Sequence, residues 1–165
     1  MVRAEWQIFE KEYWAITSTL EDLLRSSRAA HVLLIDRTGQ LIAQVGERAD
    51  FDLVSFASLC AADFEANYQL ARLVGEEDFS TLYHQGDRES MYLGKMARGV
   101  VLVVLFDRRT TLGLVRLRVR AAAAGLDGIV EALHARLQYR NEETDGIDER
   151  FTREAEAEID SLFVD

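Results

Sequence analysis

Few residues in this chain are spaced for chemistry. Its three histidines, His31, His84 and His134, lie far apart and lack the intervals of a metal-ligand set. His31 opens an apolar run and His134 falls in a helical pattern, so both predict structural roles. His84 stands beside Gln85-Gly86-Asp87, which predicts a capping or interface role at a turn. Cys60 lies among small apolar residues and reads as a core thiol. Glu76-Glu77 reads as solvated loop charge. The chain has no Gly-x-x-x-x-Gly-Lys-Ser/Thr loop, and Gly94-Lys95-Met96 does not replace one. Arg108-Arg109 is more suggestive, because it joins a buried strand to a helix. An arginine there could meet the charge that develops during phosphoryl transfer on a partner, an effect on the order of 10³–10⁵ in rate where it occurs. The simpler reading is a solvated turn in contact with carboxylates of the first helix. Together these residues predict a protein with no catalytic residue, metal or cofactor of its own.

The elements that carry these residues are legible from periodicity. Trp6, Phe9, Tyr13, Ile16, Leu20 and Leu23 recur every three or four positions and predict a helix over 5–26. Two apolar runs, Val32–Ile35 and Leu41–Val45, flank Asp36-Arg37-Thr38-Gly39 and predict a hairpin. A second helix is predicted over 51–74, with Asp50 as N-cap and Gly75 after its end. Phe56, Cys60, Phe64, Ala71 and Val74 cover one side of it, while Leu59, Ala62, Ala66, Leu70 and Leu73 cover an adjoining side. Only Ser58, Glu65, Gln69 and Arg72 form a polar strip. A sheet can cover one apolar face, and the other then calls for a second subunit.

Three strands follow, Phe79–His84, Ser90–Met96 and Val100–Phe106, with turns at Gly86-Asp87 and Ala97-Arg98-Gly99. The unbroken VVLVVLF predicts a central strand covered on both faces. Residues 111–139 carry two signals. Val115, Leu117 and Val119 alternate with arginines as in a strand, whereas Leu126, Ile129, Val130, Leu133 and Leu137 are helical. The alanine run between them favours a helix from near Thr111. Residues 141–150 read as a polar connector, and Phe151, Ala155, Ile159, Leu162 and Phe163 share a face of a short terminal helix.

Length and charge narrow the function. A chain of 165 residues is one domain with a short extension, 1–140 and then 141–165. One cysteine excludes an internal disulfide and points to a reducing, cytoplasmic setting. The start carries acids and no signal-like apolar stretch, and the longest apolar run is too short for membrane insertion. The net charge is −10, and residues 141–165 carry ten acids against Arg150 and Arg153. That segment holds −8 and leaves −2 for the rest, which disfavours phosphate-driven binding to nucleic acid.

The order helix, hairpin, helix, three strands, helix resembles the Roadblock domain, a relative of longin and profilin-like folds. The residues that carry it are LLIDRTGQLIAQVG, SLCAADFEANYQLARLVGE, HQGDRESMYL and above all VLVVLFDRRTTLGLVRLRVR; the ending IDSLFVD adds to it. The combination is similar to the MglB group of bacterial Roadblock proteins. It implies an α+β fold of the α/β class, αββαβββα with a short C-terminal helix. Its five-stranded antiparallel sheet has the second helix on one face and the first and third on the other. It implies a helix over Val115–Arg120.

The resemblance further implies a homodimer that binds one Ras-like small GTPase of the MglA type. Such a protein speeds GTP hydrolysis by repositioning the GTPase's own catalytic residues, without an inserted arginine, and helps set polarity in motile cells, acting in the cytoplasm with a cell pole as one location. The implied GTPase contacts are Ala61, Phe64, Glu65, Tyr68, Gln69 and Arg72. Ile159, Leu162 and Phe163 would form a C-terminal docking segment. Leu59, Ala62, Ala66 and Leu70, with Thr81 and Tyr83 of the edge strand, would join the two subunits. The family presents small residues near the positions of Glu65 and Gln69, where this chain has long polar ones, with Tyr68 adding bulk. Either the partner has changed to match, or the protein is a scaffold that gathers polarity or motility proteins without changing hydrolysis.

Overall fold

The computed structural model describes the backbone of residues 2–161 and the side chains of residues 10–138. Its elements are α1 (Val2–Ser27), β1 (His31–Ile35), β2 (Leu41–Gly46), α2 (Leu53–Leu73), β3 (Thr81–Gln85), β4 (Glu89–Lys95), a 3-10 turn (Ala97–Gly99), β5 (Val101–Asp107) and α3 (Leu112–Ser161). The strands form one sheet in the order β2-β1-β5-β4-β3, antiparallel throughout. By contacts the chain divides into two units, Met1–Glu131 and Ala132–Asp165.

In the first unit the central strands have no polar face. Both faces of β1 and β5 are buried, so their apolar residues serve two cores by simple alternation. Val32, Leu34, Leu102 and Val104 pack against Ile16, Leu20 and Leu23 of α1 and Val115, Val119, Leu126 and Val130 of α3. Leu33, Ile35, Val101 and Val103 face the other way, onto Ala57, Cys60 and Ala61 of α2. The helix α2 therefore stands on small side chains, while α1 and α3 stand on large ones. The arginines that suggested a strand, Arg116, Arg118 and Arg120, are exposed on α3, and the valines between them belong to its buried stripe.

The hairpin turn is fastened to α2. Asp36 Oδ1 accepts hydrogen bonds from the Thr38 amide (2.8 Å), the Thr38 hydroxyl (2.7 Å) and the Gln40 amide (2.9 Å). Burial pushes the Asp36 carboxyl up, but these bonds outweigh it and leave its pKa below the usual 3.8. Gly39 has φ +87°, and a Cβ placed there would lie 2.6 Å from Ser58 Cα of α2. Turn and helix thus touch backbone to backbone.

Several boundaries differ from the sequence expectation. The N-cap of α2 is Asp52, not Asp50: Asp52 Oδ1 accepts from the Val54 amide at 3.0 Å. Phe51 packs edge-on to His31 at 5.7 Å and against Phe56 at 5.0 Å, which leaves Asp50 outside the helix. Val74 is the C-cap and is exposed rather than on the sheet side. β3 starts at Thr81, because the Phe79 carbonyl accepts from Asn67 Nδ2 of α2 at 3.1 Å and so faces the helix. Arg109 pairs with Asp107 (2.9 Å) and Glu47 (2.6 Å), not with carboxylates of α1. These bonds raise the pKa of Arg109 and lower that of Asp107.

In the second unit the expected connector over 141–150 is helical, as the backbone continues in α3 to Ser161. The segment has no proline, Gly146 alone weakens it by about 1 kcal/mol, and Glu149 precedes Arg153 at the favourable interval of four. Ile159 lies on this helix, while Leu162 and Phe163 lie outside the described residues. Among the described residues no helix is long and apolar enough to cross a membrane.

Candidate functional site

The outward side of α2 carries apolar surface that nothing in the chain covers. Leu59 is 70% exposed, Leu70 56% and Leu73 82%, and Ala62 and Ala66 between them are exposed as well. Their spacing of three and four puts them on one stripe, opposite the Ala57, Cys60 and Ala61 stripe that sits on the sheet. Single exposed leucines are ordinary on a protein surface, but a contiguous stripe marks a contact face.

The outer edge of β3 is free on the same unit, since β3 ends the sheet. Thr81 and Tyr83 are exposed there, with Tyr83 stacked on Phe106 at 6.2 Å, and Leu82 turns toward the α2 core. The strand TLYHQ has no lysine, glutamate or proline to discourage pairing. His84 Nε2 lies 2.6 Å from Asp63 Oδ2, so β3 and α2 are tied by side chains as well as by Asn67. His84 thus ties a strand to a helix within the chain.

Along one flank of α2 runs a hollow of about 310 Å³. Phe64, Glu65 and Tyr68 form its helical wall, Ala61 and Val101 lie toward the sheet, and Arg37, Lys95 and Gly99 come from the ends of the hairpin and the strands. Of the six residues expected to face a GTPase, Glu65, Gln69 and Arg72 are exposed, and Phe64 and Tyr68 are half-buried. Ala61 is only 7% exposed, because it belongs to the stripe that supports the helix. Gln69 Nε2 donates to Glu65 Oε1 at 2.7 Å, so the two long polar residues hold each other along the helix. Lys95 is ion-paired with Asp78. Arg37 was legible only as a turn residue, and its place in this hollow depends on the distant Gly99.

Cys60 of the same helix is set in the core. Cys60 Sγ is buried 3.8 Å from Met91 Sδ. Burial, followed by the negative charge of Asp63, pushes the thiol pKa up to about 11, the opposite of an activated nucleophile. The folded protein should therefore resist iodoacetamide at pH 8 and react quickly once urea exposes the thiol; equal rates in both states would refute a core role. Among the described residues no group of three or more His, Cys, Asp or Glu side chains is placed to hold a metal ion.

Comparison with known proteins agrees with the fold. The model of the Roadblock/LC7 domain matches residues 16–106. Among solved structures, Myxococcus xanthus MglB is similar at 40% identity and TM-score 0.70, over 73% of this chain and 91% of that one. The gliding protein MglB from Thermus thermophilus is similar at 33% identity and TM-score 0.70, over 73% of this chain and 92% of that one. An MglB described as having a tetrameric arrangement is similar at 35% identity and TM-score 0.67, over 72% and 88%. No curated protein sequence matches.

Proposed function

The chain belongs to the Roadblock/LC7 family, and on that footing we propose that it is a homodimeric regulator of a Ras-like small GTPase of the MglA type. The fold is that of a regulatory binding domain, and MglB proteins are similar to it at 33–40% identity. The observation that carries the proposal is the stripe of Leu59, Ala62, Ala66, Leu70 and Leu73, left bare on a helix whose opposite side is fully used. Two copies that cover this stripe, and join their β3 edges, make one platform with α2 at its centre. A GTPase that binds the platform better in one switch state is shifted toward that state. If the preferred state also orients its catalytic residues, hydrolysis accelerates with no group donated by the regulator. The Thermus protein is a gliding protein, which supports a role in motility; control of cell polarity, in the cytoplasm and at a cell pole, is the setting proposed with it. The C-terminal Ile159, Leu162 and Phe163 remain the proposed second contact.

The mutual hold of Glu65 and Gln69 favours a second reading, a scaffold that binds without changing hydrolysis. Single-turnover GTP hydrolysis by an MglA-type GTPase, with and without this protein, separates the two. Activation of about tenfold or more is the expected outcome for a regulator that pre-organises catalytic groups. Binding of the GTP-loaded form with an unchanged rate selects the scaffold, and absence of both removes the GTPase from the account. Glu65→Ala with Gln69→Ala should raise binding or activation if these side chains obstruct docking.

A further inference from the structure

Arg37 occupies the turn between β1 and β2, which is clamped by three hydrogen bonds to Asp36 Oδ1, two from backbone amides and one from the Thr38 hydroxyl. Its side chain reaches across to the 3-10 turn before β5. A Cβ placed on Gly99 would fall 2.4 Å from Arg37 Cδ and 2.6 Å from Cγ, so the aliphatic stem lies on the bare backbone of a glycine. Gly99 also has φ +75°, a conformation few other residues adopt, so sequence and backbone together keep that bed clear. The stem is supported, and Arg37 lines the hollow beside α2.

The charges around it are unevenly committed. Lys95 is neutralised by Asp78, and Glu65 accepts the Gln69 amide. Arg37 makes no hydrogen bond or ion pair with any described residue. A supported, planar donor fork facing a partly apolar hollow is matched by a carboxylate on a short aliphatic stem. Phe64 and Phe79 line the same hollow and offer apolar surface for such a stem. Glu65 in the same wall disfavours a run of acids and leaves room for a single one.

We infer that Arg37 is a specificity-determining contact, which takes one acidic side chain of the GTP-loaded GTPase as it docks along α2. This rests on the GTPase reading above and names the chemistry of its partner's surface. The probe is an MglA-type GTPase loaded with a non-hydrolysable GTP analogue, titrated against wild type, Arg37→Gln and Arg37→Lys at low and high salt. Arg37→Gln should weaken binding by about tenfold or more at low salt, as expected for loss of a charge-assisted hydrogen bond. Salt should narrow the difference, and lysine should restore part of it. Because Arg37 is exposed, its variants should melt as the wild type does. Wild-type binding with an equal affinity for Arg37→Gln overturns this inference alone. Absence of binding by the wild type overturns the GTPase reading, and this inference with it.

Discussion

Leu59→Glu combined with Leu70→Glu should leave a monomer of 18.7 kDa in light scattering, where the wild type, if the proposed dimer forms, should give about twice that mass. The expectation follows from the surface of α2. Both leucines are more than half exposed in the single chain, so their replacement removes nothing from the monomer's own core. In a two-fold pair four leucines lose their burial. At roughly 1 kcal/mol for each remaining exposed portion, the loss is about 4 kcal/mol, or about a thousandfold in association. Four carboxylates forced into the interface add a desolvation penalty. Glutamate is a good helix former, so α2 itself should persist, and an unchanged far-ultraviolet spectrum would show it. A double variant that stays dimeric would place the interface elsewhere and remove the platform on which the regulatory proposal stands.

Gly39→Ala should cost about 3 kcal/mol or more in urea unfolding, a large effect for one added methyl group. Two penalties combine. At φ +87° a side chain is strained by about 1–2 kcal/mol. The new Cβ would also stand 2.6 Å from Ser58 Cα, 3.1 Å from Ser58 N and 3.3 Å from Ala57 O, all backbone atoms of α2. A flexible side chain could rotate aside, but a helix backbone must move as a body. The turn and the helix would separate, and the small-residue contact of Ala57 and Ala61 with the sheet would open. The midpoint should fall with little change in slope. A loss below about 1 kcal/mol would mean that the turn is not tied to α2 through this backbone contact.

Much of the architecture was legible because it rests on local repetition. VLLI of β1 and VLVVLF of β5 are apolar at every position, which suits strands covered on both faces. Asp36-Arg37-Thr38-Gly39 marked its own turn, and α2 announced two apolar sides, both of which the structure contains. Residues placed by distant partners were harder to read. Asp50 and Asp52 are equal candidates by type, and only the packing of Phe51 on His31 and Phe56 separates them. Phe79 continues an apolar strand pattern, but its carbonyl is taken by Asn67, twelve residues earlier. Arg109 chose Glu47, far back in the chain, over the first helix. The hollow beside α2 was least visible, since it needs Arg37, Lys95 and Gly99 brought to the same end of the sheet. Val115–Arg120 was ambiguous for the opposite reason: its alternation is real, yet the following alanines decide the conformation.

The strand order puts β2 at one margin of the sheet and β3 at the other. If twin copies fuse along β3, the product is a ten-strand ribbon whose two ends are identical β2 flanks, far apart and facing opposite ways. Whatever grips one flank finds a second of equal quality, so the pair has a valence of two. A ligand that is itself bivalent would then string such ribbons into open chains, and the length of those chains would be governed by stoichiometry rather than by the strength of any one grip.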